Sequence, residues 1–133
     1  MGAVILNEAG EVLLVKHRPE RKGFWQGKWI CPGGALEVGE KITDGIIREV
    51  KEESGLDILN VKLFFQKSNI DVAKNKQFVT LVFHAKTSSA DVVLSPEDHD
   101  NYAWINPSEI NNYKTVNYLV DCLSFPYILC LYI

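Results

Sequence analysis

Between Gly34 and Leu56 the chain reads GALEVGEKITDGIIREVKEESGL, and no other stretch limits the possible folds so sharply. Gly34 is followed after five residues by Glu40 and after seven more by Arg48, Glu49 and the aliphatic Val50; Glu52, Glu53, Gly55 and Leu56 close the pattern. A helix over Ile42 to Ser54 is expected, with Thr43 as N-cap, Asp44 in the first turn and Gly55 ending it. At 100° per residue, Glu49, Glu52 and Glu53 fall within an arc of about 100°, so three carboxylates are expected to converge. Oxygen ligands of this kind suit Mg²⁺ or Mn²⁺, and Mg²⁺ is commonly held by a few carboxylates together with substrate phosphates. An acidic helix face alone reads as solvated surface. Here Ile46, Ile47 and Val50 form an adjoining apolar stripe of about 100°, which places the carboxylates at the edge of a packed surface. Arg48 stands beside Glu49 and one turn before Glu52, where it can orient a carboxylate and keep it ionised.

This stretch resembles the Nudix box, GX5EX7REUXEEXGU with U aliphatic, and agrees with it at every defined position. Average composition puts a chance match on the order of 10⁻⁹ per starting position. The resemblance implies a Nudix fold, an α/β/α sandwich with a mixed β-sheet, as a single α/β domain over residues 1–133. It also implies hydrolysis of a nucleoside diphosphate linked to another group, with Mg²⁺ or Mn²⁺ as cofactor. Carried onto this chain, the catalytic set is Glu40, Arg48, Glu49 and Glu53, and the metal set is the Gly33 carbonyl with Glu49, Glu52, Glu53 and Asp98. The general base stays open among Glu40, Glu49 and Glu53, because Nudix subfamilies differ in this.

Further landmarks flank the box. Trp29 to Gly34, WICPGG, is similar to the entrance that precedes it in the family. Arg18 follows the second strand, where relatives often place an arginine on phosphate. The stretch SPEDHDNYAWINPSEI resembles a second landmark, in which the acidic residue six positions before the tryptophan supplies another carboxylate. Trp104 assigns that role to Asp98, where the family more often has Glu, with Glu97 adjacent. Asn117 resembles the asparagine with which oxidised-purine hydrolases of this family read a base.

The remaining sequence bounds the answer. At 133 residues, 47% hydrophobic and 23% charged, the chain reads as one soluble globular domain. A net charge of −3 offers no basic footprint for duplex nucleic acid, and no apolar run reaches the roughly 18 residues of a membrane span. Cys31, Cys122 and Cys130 lack metal spacing, and reduced thiols in a cytoplasm are expected; no secretory signal follows Met1. Ala3 to Leu6 and Val12 to Lys16 read as a hairpin, and Leu59 to Ser68 with Gln77 to Thr87 as a long antiparallel pair. Tyr102 and Trp104 are expected in a strand's core, His99 as an exposed or backbone-bonded loop residue, and a helix between Lys114 and Ser124. The basic, aromatic loop HRPERKGFWQGKW and the apolar tail FPYILCLYI are surface and packing segments; the tail is compatible with a monomer or a homodimer.

The expected substrate is a nucleotide, most simply a nucleoside triphosphate cleaved to a nucleoside monophosphate and pyrophosphate, with oxidised purines among the candidates. Residues that mark ADP-ribose and dinucleoside polyphosphate hydrolases are missing beyond the box. Those two activities, and a non-catalytic nucleotide-sensing module, are the alternatives.

Overall fold

Asn7 closes the first hairpin. Its Oδ1 accepts the N–H groups of Ala9 at 3.0 Å and Glu11 at 2.9 Å, and Gly10 takes the left-handed conformation at φ 78°. The strands on either side are β1 (Gly2–Leu6) and β2 (Val12–His17), antiparallel with Leu6 opposite Val12. The computed structural model describes residues 1–20 and 26–124. All five residues of β1 are buried, as a central strand covered on both faces requires. The other elements are β3 (Trp29–Ile30), α1 (Ile42–Ser54), β4 (Leu59–Asp71), β5 (Lys76–Lys86), β6 (His99–Ile105), a 3₁₀ helix (Pro107–Asn112) and α2 (Asn117–Ser124).

β1 runs parallel to β5, from Gly2 opposite Val82 to Leu6 opposite Lys86, and every other strand pairing is antiparallel. The sheet is therefore mixed, in the order β3-β2-β1-β5-β4 with β6 also on β2. Alternate side chains feed two cores. Ala3, Ile5, Leu13, Val15 and Phe83 pack with Ile46 and Val50 of α1, while Val4, Leu6, Val12, Leu14 and Val82 pack with Ile110 of the 3₁₀ helix and Leu119, Cys122 and Leu123 of α2. Helices on both faces of one sheet make the expected α/β/α sandwich.

The β4–β5 pair is longer than its sequence pattern, reaching Asp71 opposite Lys76 across a turn in which Asn75 has φ 49° and the Asp71 carboxylate accepts the Lys74 N–H at 3.1 Å. Asn106 caps the 3₁₀ helix in a capping box with Glu109.

Four local expectations are corrected. Lys41, with no side-chain cap, precedes α1, and Thr43 lies inside its first turn, whereas Gly55 ends the helix at φ 72° as expected. Ile47 is 39% exposed, because the buried face of α1 is made by Gly45, Ile46, Val50 and Ser54. Tyr102 is 40% exposed rather than in the core, while Trp104 is half-buried and donates its Nε1–H to Ala90 O at 3.2 Å. His99 is not a loop residue: it begins β6 and is 1% exposed. Cys31 and Cys122 are free and buried. The loop over 21–25 and the tail over 125–133, with Cys130, lie outside the described residues. Among the described residues no helix is long and apolar enough to cross a membrane.

Candidate active site

The turn after β3 and the buried side of α1 face each other because Gly33 and Gly34 leave room. Gly33 bridges to Gly2 of β1, and its N–H donates to Glu53 Oε2 at 2.9 Å. A side chain at Gly33 would run into the backbone of Met1 and Gly2, and one at Gly34 would displace the Glu49 carboxylate, so glycine at both lets the turn lie against β1 and α1. On the helical wheel Glu49 and Glu53 lie on one side of Ile46, between it and Gly45, within the buried arc instead of beside it. Their hydrocarbon stems share the packed face while their carboxylates meet the glycine turn.

Arg48 organises the outer side of the same helix. Its Nε and Nη2 hold Glu40 in a two-point pairing at 2.8 and 3.0 Å, Nη1 donates to Glu49 at 2.9 Å and to Glu52 at 3.3 Å, and Nη2 also donates to Ala35 O at 3.1 Å. Fork-to-fork pairing of this kind is both directional and strong. The Arg48 guanidinium, helped by the Glu37 N–H, lowers the Glu40 carboxyl to about 2. Glu40 and then Glu49 push the affinity of Arg48 for its own proton upward.

A cavity of about 690 Å³ opens beside these groups. Gly33, Gly34, Glu49, Glu53 and Asp98 all line it, so four of the expected metal-set residues reach one space. Glu52, whose side chain is 59% exposed, stays on the outer side with Arg48, and the three box carboxylates do not converge as the helical wheel alone suggests. Glu40, paired with Arg48, is likewise not among the lining residues. Asp98 is half-buried and Glu97 exposed. Arg18 lies next to the Asp98 loop, its N–H donating to Asp98 O at 3.1 Å and its Nε to Pro96 O. Asn117 is the first residue of α2, and its side chain is outside what is described.

Sequence reasoning missed several residues of the lining. Phe78, Val79, Thr80 and Leu81 of β5, His17 of β2 and Tyr118 of α2 also line the cavity. Phe78 and Val79 are 51% and 62% exposed, but in sequence they are ordinary strand residues; only the overhang of β5 beyond the core distinguishes them. Tyr118 is bonded to the Cys31 thiol, and burial pushes that thiol up to about 11, so Cys31 is poorly suited to act as a nucleophile.

Glu49, Glu53 and Asp98 are hard oxygen donors on one cavity, and the glycine turn lies close against the Glu49 carboxylate, a donor set of the kind a hard divalent cation takes. Among the described residues no three acidic, histidine or cysteine side chains enclose an ion by themselves.

The family model that matches is the NUDIX domain, over residues 1–121. The chain belongs to the Nudix family. Among curated Nudix relatives, Nudix hydrolase 2 of Arabidopsis thaliana is 33% identical over 135 residues, covering 93% of this chain and 46% of that protein. The chain thus spans just under half the length of that relative. Nucleoside triphosphatase NudI of Escherichia coli is 29% identical over 118 residues, with 82% of each chain covered. Of solved Nudix-fold structures, the MutT protein from Methanosarcina mazei Go1 superposes with a TM-score of 0.77 at 30% identity, covering 92% of this chain and 86% of its own.

Proposed function

We propose that this Nudix protein is a divalent-metal-dependent pyrophosphohydrolase that cleaves a nucleoside triphosphate to a nucleoside monophosphate and pyrophosphate. The observation that carries this reading is the meeting of Glu49, Glu53 and Asp98 on one cavity that Phe78, Val79, Leu81 and Tyr118 also line. The similarity to a nucleoside triphosphatase over 82% of both chains supports the choice of substrate. The water oxygen bonds to phosphorus, the bridging P–O bond breaks, pyrophosphate leaves, and the water's proton passes to a carboxylate. Bound Mg²⁺ or Mn²⁺ supplies charge neutralisation of the phosphate oxygens and a lowered pKa for water.

The chain's own residues divide the remaining work. Glu40, held at about 2 by Arg48, is a poor proton acceptor near neutral pH, which leaves Glu49 and Glu53 as the candidate bases. Arg48 orients Glu49 through its Nη1–H. Arg18, beside the Asp98 loop, is the residue we assign to phosphate oxygens, which requires its side chain to turn from Pro96. Phe78 offers a stacking surface for a base, and Asn117, at the start of α2, is the residue we assign to reading its edge, on the resemblance to oxidised-purine hydrolases alone.

A panel of ordinary and oxidised nucleoside triphosphates, ADP-ribose and dinucleoside polyphosphates, assayed with Mg²⁺ for pyrophosphate or phosphate release, tests this. Pyrophosphate release from a triphosphate is expected. Turnover confined to ADP-ribose or dinucleoside polyphosphates would move the substrate class, and nucleotide binding without any turnover would make the protein a sensor.

A further inference from the structure

Asp98 is carried on a support that the chemistry above does not use. β6 pairs regularly with β2 from Ile105 opposite Val12 to Asn101 opposite Lys16, then passes over Asp100 so that His99 lies opposite His17. An extra residue of this kind is a bulge, and bulges turn neighbouring side chains to new directions. Here the two imidazoles meet edge to face, with centroids 4.9 Å apart and planes at 87°. His99 is 1% exposed, whereas His17 and Asp98 both line the cavity. The preceding turn is tied at each end: the N–H groups of Asp98 and His99 donate to Ser95 O at 3.2 and 3.1 Å, the Arg18 N–H donates to Asp98 O at 3.1 Å, and the Ser95 hydroxyl donates to Asp98 Oδ2 at 3.3 Å.

An aspartate is one methylene shorter than a glutamate, so where its carboxylate lies is set more by backbone than by rotamers. A residue that pins the backbone at position 99 therefore controls the reach of Asp98. We propose that His99 is a positioning residue: its buried ring, braced against His17, fixes Asp98 on the cavity that Glu49 and Glu53 line. The inference rests on the metal-and-diphosphate reading of that cavity. It makes the paired histidines a device for a short carboxylate, not members of the proton-transfer machinery.

The test is a Mn²⁺ titration of the whole chain, with free Mn²⁺ followed by electron paramagnetic resonance. His99→Phe keeps a ring with an edge; His99→Leu fills the core without one. Each is prepared with Asp98 intact and in combination with Asp98→Asn, and thermal unfolding is recorded for all. With Asp98 intact, His99→Leu is expected to weaken Mn²⁺ binding about 10-fold and His99→Phe less than about 3-fold, in line with the effect of residues that orient metal ligands. Combined with Asp98→Asn, His99→Leu should add less than about 2-fold. A stabilising role alone would lower the unfolding temperature without this dependence on Asp98. Should His99→Leu fail to fold, His17→Leu, which leaves the core histidine in place, must show the same dependence.

Wild-type affinity in folded His99→Leu, or an equal loss with and without Asp98, overturns the positioning role. If the wild-type protein shows no Mn²⁺ binding that Glu53→Gln removes, the reading of the cavity itself fails, and the positioning role with it.

Discussion

The two walls of the cavity are built on different physical terms. One wall, the glycine turn and α1, carries a tightly bonded polar network: Gly33 to Glu53, Arg48 to Glu40 and Glu49, with donor–acceptor distances between 2.8 and 3.0 Å. The other, the overhanging end of β5 with Tyr118, is largely apolar, and its Phe78 and Val79 stand more than half exposed. A directional network of charges suits the part that every diphosphate shares. An open apolar ledge suits the part that differs between substrates, since it binds by contact area and can change without disturbing the network.

The division is broken most directly at Glu53. Glu53→Gln keeps an oxygen to accept the Gly33 N–H but removes a charge, so turnover should fall roughly 10³-fold with an almost unchanged unfolding temperature. A variant with more than a tenth of wild-type turnover would take Glu53 out of the reaction. Asp98→Asn should cost less, about 10-fold to 100-fold, because it supports a site that Glu49 and Glu53 already form. A larger loss in Glu97→Gln would transfer the role to its exposed neighbour.

On the apolar wall the expected signature changes. Phe78→Ala should raise KM for the preferred nucleotide by about 5-fold to 100-fold, equivalent to about 1–3 kcal/mol of stacking, with kcat little altered. A fall in kcat at constant KM would mean that the ledge shapes the reaction centre, and the two-wall distinction would not stand.

The smallest effect concerns Glu40 and appears only in acid. Its folded-state carboxyl is lowered from 4.5 to about 2, chiefly by Arg48. A depressed carboxylate contributes stability above its unfolded value and loses it as pH falls through the folded one. The difference in unfolding temperature between wild type and Glu40→Gln should therefore be constant near neutral pH and close between about pH 4.5 and 2. A difference that widened in acid would contradict the pairing with Arg48.

Much of the polar wall is legible in the chain because it is local. Gly34, Arg48, Glu49 and Glu53 lie within 20 residues of one another, and helical periodicity alone puts Glu49 and Glu53 one above the other. Periodicity also misleads there: it groups Glu52 with them, although Arg48 holds Glu52 outside the cavity, and it places Ile47 on a packed face where the sheet does not reach. Phe78, His17 and Tyr118 carry no pattern of their own, since a strand residue becomes a cavity wall only through what stands across from it.

By itself, then, the sequence determined the helix, its glycine stop, the hairpins and the carboxylates available to a cation, all of which rest on short-range geometry and chemical type. Tertiary structure decided which carboxylates share a space, that β1 runs parallel to β5, that a bulge at Asp100 sets His99 opposite His17, and where the ledge lies. Those outcomes depend on contacts between residues tens of positions apart, whose register is chosen by packing across the whole sheet rather than by any segment's own preference.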